Sequence, residues 1–240
     1  MSTEMPFLDH LTELRKRLWW SLLTLVLTLV FTYWMYPGYI DFLISPLKSI
    51  SEELQMLGVL EGFNARLRFS FYLALILSSP IHLANLAGFI LPALTPKERR
   101  YTLWTLASGT ILAISGALFA YHLILPLSLP ALVSSGFIPE GTKVSLTFAD
   151  NVNLLIQLLF GFAVLFQFPL ILLLLMALEV VQRKTLLSQS RYVIVLIFIL
   201  SAVATPPDPI SQIGLALPLI LLFYLSIVIA KIFKFGESYS

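Results

Sequence analysis

Six stretches without a single Asp, Glu, Lys or Arg constrain this chain more than any other feature. They run from 18 to 40, 69 to 96, 101 to 139, 151 to 178, 192 to 207 and 209 to 230. About 20 apolar residues of helix cross a bilayer core, so six transmembrane helices is the simplest count. Of the 240 residues, 58% are hydrophobic and only 12% charged, a balance that a water-exposed globular surface does not carry. A β-barrel would show short segments of alternating polarity, and the chain has none. The sequence therefore predicts an all-α integral membrane protein, a single transmembrane domain over 1–240. Its spans fall at about 18–36, 67–87, 101–125, 151–178, 192–205 and 210–230. The first apolar run is long enough to span and lacks a small-residue cleavage site, so it is expected to be retained.

Orientation follows from the basic residues, which favour short cytoplasmic loops. With the N-terminus inside, 11 of the 15 Lys and Arg lie on the cytoplasmic side, leaving Lys48, Arg66, Arg68 and Lys143 outside. Both termini are then cytoplasmic. The outer segments Pro37–Ala65 and Leu127–Asp150 are expected to be caps. The fifth stretch, at 16 residues, reaches only about 24 Å as a helix, less than the roughly 30 Å hydrocarbon core, so the last two spans are expected to be short. Pro80, Pro126, Pro169 and Pro218 interrupt the spans and should bend the bundle into a concave shape. Gly109, Ser115, Gly116 and Ala120 offer close approach between helices.

No cysteine, nucleotide-binding glycine loop, metal cluster or nucleophile with a base is visible, so no enzyme, cofactor or metal site is expected. The net charge of +2 gives no reason to expect nucleic acid. What remains are polar groups at the membrane borders. In "FLDHLTELRKRLWW" the apolar positions Phe7, Leu8, Leu11, Leu14 and Leu18 follow helical spacing, predicting an amphipathic interfacial helix over about 6–17. Glu13 on its polar face has two readings. It pairs with Arg17 at i, i+4, worth about 0.3 to 0.5 kcal/mol. Alternatively it receives a guanidinium through a bidentate pair where water is partly excluded. Glu98 in "PKERR" is the same kind of residue at the next inner turn.

The "HLTELRKR" run from His10 to Arg17 resembles the N-terminal signature of the TatC family, the membrane receptor of the twin-arginine protein translocase. Further segments match in order: "SSP" ending at Pro80, "FILPALTPKERR" from Phe89, "GALFAYHLILP" from Gly116, "FGFAVLFQFP" from Phe160 and "TPPDPISQIGLALP" from Thr205. The resemblance implies that Glu13 and Glu98 recognise the paired arginines of a signal peptide. His10, Arg17, Phe89, Pro92 and Arg99 belong to the segments that shape that site. It also implies structural or functional roles for Pro46, Asp208 and Gln212. From the residues alone, Asp208 reads first as a cap of the following helix, and His10 as an interfacial structural residue.

The implied partners are twin-arginine signal peptides of folded proteins, single-span subunits of the TatA and TatB type, membrane lipid and further copies of the chain. The implied location is the prokaryotic cytoplasmic (inner) membrane, with transport driven by the proton gradient. Gln167 departs from the family, which usually has a glutamate there that contacts partner helices. It reads either as that contact or as a satisfied polar residue between helices. Tyr224 and Gly88 also depart. Two rival functions stay open: a small-solute secondary transporter, though the internal repeats common in such folds are absent, and a divergent scaffold that has lost its partners. Asn153, Gln157, His82, Asn85 and His122 read mainly as interhelical hydrogen bonders.

Overall fold

The computed structural model describes residues 7–48, 55–90, 96–132, 147–177 and 179–236, with the side chains of 7–10, 87, 88, 90, 96–107 and 131 outside the description. In chain order the helices are α1 (Phe7–Leu43), α2 (Ser45–Lys48), α3 (Glu61–Ile90) and α4 (Pro96–Phe119). A π-helical turn (Ala120–Ile124) leads into α5 (Leu125–Leu132). Then follow α6 (Phe148–Leu165), α7 (Phe168–Ala177), α8 (Arg183–Ser188), α9 (Ser190–Ala204) and α10 (Pro209–Ile232). Among the described residues there is no strand, only an isolated bridge between Gln55 and Thr147.

Among the described residues, five stretches are long and apolar enough to cross a bilayer: Leu11–Lys48, Glu61–Leu86, Ser108–Pro130, Phe148–Ala177 and Pro209–Ile232. Helix α9, with 15 residues, reaches only about 22 Å. The shortness expected of the last two spans is confined to it, because α10 runs 24 residues. The centre of the core is made by α6, α7 and α10, where Leu155, Leu158, Phe162, Met176, Leu215, Leu219 and Phe223 are fully buried, with Leu112 and Phe119 of α4 packed against it. Helix α1 packs on α3 at the edge and leaves Leu18, Trp19, Leu22, Val26, Val30 and Trp34 exposed, a surface that suits lipid and not water.

Prolines bend or cross helices according to whether the freed carbonyl finds another donor. Pro37 lies inside α1, where the outer segment was expected to begin. It cannot donate to the carbonyl of Tyr33 one turn back. Arg66 of α3 fills the gap, its Nε and a terminal nitrogen donating to the Tyr33 oxygen at 3.2 and 2.8 Å, while its guanidinium lies 4.1 Å over the Tyr33 ring. The helix therefore continues to Leu43 and shortens the expected outer segment. Pro80 inside α3 frees the Ile76 carbonyl, and the Ser79 hydroxyl donates to it at 2.7 Å. Before Pro126 the chain widens instead: the Leu125 N–H reaches back five residues to Ala120 O, a π-bulge that moves the backbone off the proline clash.

The expected interfacial helix is the unbroken beginning of α1 and has no separate axis. Of the small residues expected to bring helices together, Gly116 is the tightest. A Cβ there would lie 2.8 Å from the carbonyl oxygen of Phe162 in α6. Ser115 points outward and bonds the Ile111 carbonyl of its own helix at 2.8 Å.

Candidate functional site

Register along α1 and α3 fixes what meets at the N-terminal end of α1. Thr32 donates to Ser70 O at 2.8 Å, and Asn85 donates to the Ser21 hydroxyl at 2.9 Å. The two helices are thus antiparallel; Arg17, one turn before Ser21, lies level with the end of α3 at Phe89 and Ile90, and Glu13, one turn further out, stands just past that end. Helix α4 starts only six residues later, at Pro96, so its first turn, which contains Glu98 and Arg99, stands at the same end of the bundle as Glu13. The side chains of His10, Glu98 and Arg99 lie outside the described residues, as does Pro92 altogether.

Glu13 accepts from Arg17 at 2.5 Å, a pair at i, i+4 with both side chains about one-third exposed or less (33% and 27%). The simpler sequence reading of Glu13 is therefore realised, yet it leaves the other possible. A partly exposed pair of this spacing is worth about 0.3 to 0.5 kcal/mol. A bidentate charge-assisted pair is worth roughly 1.5 to 3 kcal/mol, enough to displace it. Arg17 also holds a buried Nε that bonds nothing among the described residues.

Gln167 occupies the break between α6 and α7. The chain tightens there, with the Gln167 N–H on Val164 O at 3.0 Å, because Pro169 cannot donate to the helix behind it. The side-chain amide crosses to α4 and donates to Gly109 O at 2.9 Å. Gly109 makes room: a Cβ there would sit 3.0 Å from the amide oxygen of Gln167.

At the other end, Asp208 caps α10. Its Oδ1 accepts from Ser211 N at 2.7 Å and its second oxygen from the Ser211 hydroxyl, with the side chain buried. Pro209 follows at the first helical position, where its missing N–H costs nothing. Gln212 reaches Phe198 O of α9 at 3.4 Å. Pro46 lies in α2, beside Phe42 and Tyr121 around a hollow of about 390 Å³. Tyr121 holds that cap through Phe42 O and its ring stack on Phe42 at 4.9 Å. Its role had no sequence signal, since a tyrosine in an apolar run is ordinary.

Of the polar groups singled out from the sequence, Asn85 bonds Ser21 across helices, while His82 bonds Ser78 within its own helix at 2.8 Å. Asn153 accepts from Arg68 at 2.5 Å, and Gln157 lines an open cleft with both. Arg68, read from sequence only as an outer cation, is in fact about two turns inside α3. Among the described residues no three His, Asp or Glu side chains are grouped as a metal would require.

The fold defines a class: a multi-pass helical membrane protein. The family model for TatC, the Sec-independent protein translocase protein, matches residues 9–218. The chain is 30% identical over 231 residues to the TatC of Carboxydothermus hydrogenoformans, covering 96% of this chain and 94% of that one. It is 32% identical over 222 residues to the TatC of Helicobacter pylori J99, with 92% and 87% covered. A crystal structure of the twin arginine translocase receptor TatC in DDM superposes with a TM-score of 0.81 at 29% identity, covering 95% of this chain and 100% of that one. The chain belongs to the TatC family. It is a component of the Sec-independent protein translocase, which acts with other subunits, and is not an enzyme in the catalytic sense.

Proposed function

We propose that this chain is the receptor subunit of a twin-arginine export system. It binds signal peptides at the cytoplasmic face through Glu13 and Glu98 and recruits single-span subunits of the TatA and TatB type to pass folded proteins. Arg17, His10, Phe89 and Arg99 shape the binding end, Gln167 takes part in partner contact, and both termini are cytoplasmic in a six-span arrangement in the inner membrane. The observation that carries the proposal is the register of α1 on α3, which brings Glu13 to the end of the bundle where α4 begins. Two carboxylates there suit two neighbouring guanidinium groups, because each offers the planar acceptor geometry that arginine's fork matches. The superposed crystal structure is that of a twin arginine translocase receptor, which supports the same substrate class.

The test is photocrosslinking of a signal peptide to probes placed at Leu11 and Phe89. With the arginine pair intact, adducts form at both positions; with the pair replaced by alanine, both fall away. Adducts that persist without the arginines contradict the proposal.

A further inference from the structure

We propose that the cleft above the end of α9 is a binding site for an anionic phospholipid, whose phosphate sits on Arg68. The cleft exists because α9 is short. A Cβ on Gly161 would lie 2.8 Å from the carbonyl oxygen of Ala204, the last residue of α9. The helix end is thus pressed against α6 thirteen residues beyond Phe148, about 20 Å along the axis. Beyond that contact the flank of α6 and the neighbouring flank of α3 have nothing from α9 over them. The result is an opening of about 760 Å³, floored by Val203 and Ala204 and walled by Tyr72, Arg68, Asn153 and Gln157.

The polar groups share one end of this opening and the apolar groups the other. Arg68 and Asn153 lie within two turns of the starts of α3 and α6, whereas Val164, Leu200 and Val203 lie deeper. A guanidinium has five N–H donors. Asn153 takes one of them, at 2.5 Å, and no carboxylate pairs with Arg68 among the described residues. Asp150, the nearest acid along α6, is engaged with Thr147 at 2.6 Å at the mouth of that helix. Arg66, two residues away on α3, is different: it is spent on Tyr33.

An arginine facing lipid without an anion is costly. An apolar helix laid into the cleft would cover Arg68 and leave its charge unpaired. A phospholipid brings the anion and the apolar tail together: the phosphate accepts the planar fork, Gln157 and Tyr72 serve the glycerol oxygens, and an acyl chain lies over Val203 and Leu200. A lipid so placed sits below its neighbours in the outer leaflet, which thins the bilayer beside the short helix.

The test is native mass spectrometry of the purified full chain, titrated with phosphatidylglycerol, phosphatidylcholine or soluble glycerol 1-phosphate. The intact protein should hold phosphatidylglycerol roughly tenfold more tightly than phosphatidylcholine and bind glycerol 1-phosphate weakly. Arg68→Gln should abolish the preference, and Arg68→Lys should keep part of it. Val203→Trp, which fills the floor and leaves the charges alone, should weaken both lipids. Lys48→Gln, at another outer cation, should change nothing. Retained preference in Arg68→Gln, or unchanged lipid binding in Val203→Trp, overturns the assignment. So does glycerol 1-phosphate binding as tightly as the lipid, which makes this an anion site alone, or displacement of the lipid by a copurifying single-span protein.

Discussion

The side-chain amide of Gln167 donates to the backbone carbonyl of Gly109 at 2.9 Å, tying the break between α6 and α7 to the middle of α4. A residue proposed for partner contact is bonded within the bundle itself. Its N–H donor points at an oxygen, so the neutral amide fits where an anion does not. Gln167→Glu is expected to set two acceptors against each other and to lower stability by about 1 to 3 kcal/mol. Gln167→Met, which merely removes the bond, should cost about 0.6 to 1.7 kcal/mol. Thermal unfolding in one detergent orders the three proteins; a Glu variant as stable as the parent contradicts the contact.

Gly116 and Gly38 form a matched pair. A Cβ at Gly116 meets Phe162 O at 2.8 Å, whereas at Gly38 it meets nothing within 4 Å. Gly116→Ala should destabilise by about 1 to 3 kcal/mol because backbone, not a flexible side chain, must move. Gly38→Ala should stabilise by roughly 0.5 to 1 kcal/mol, as alanine replaces glycine in an open helical position. Equal effects in the two variants would show that the α4–α6 approach is looser than described.

Asp208 separates structural from electrostatic importance. Asp208→Ala removes the acceptor for Ser211 N and should cost about 0.5 to 2 kcal/mol. Asp208→Asn keeps a capping oxygen and should unfold within about 0.5 kcal/mol of the parent. If export fails in the Asn variant while its unfolding midpoint is unchanged, the charge itself acts in transport. If stability and export fall together in the Ala variant alone, the cap accounts for the residue.

Arg17 competes for the carboxylate that the export tag is proposed to use. Arg17→Gln removes a pair worth about 0.3 to 0.5 kcal/mol, so a signal peptide should gain up to about twofold in affinity from that release. A loss of tenfold or more instead would assign Arg17 a direct part in holding the peptide, through the buried Nε that bonds nothing among the described residues.

Much of this architecture was legible before any coordinates. The uncharged stretches mark the helices, "TPPDP" marks the cap at Asp208, and the i, i+4 spacing marks the Glu13–Arg17 pair. What sequence could not give was long-range compensation. Pro37 reads as a helix end until Arg66, from another helix, is seen to satisfy Tyr33 O. The depth of α9 depends on Gly161 accepting a carbonyl against its missing side chain, a contact with no local signature. Arg68 and Asn153 are 85 residues apart, so their meeting and the cleft around them follow only from how α3 and α6 align.

The most direct measurement is the affinity of the purified protein for a signal peptide carrying Arg-Arg compared with the same peptide carrying Lys-Lys. Recognition by Glu13 and Glu98 predicts at least a tenfold preference for Arg-Arg, since an ammonium offers a point charge and not the paired donors of a guanidinium. It further predicts that the preference disappears in the Glu13→Gln, Glu98→Gln double variant. Equal binding of the two peptides by the unaltered protein, or an undiminished preference in the double variant, would contradict it.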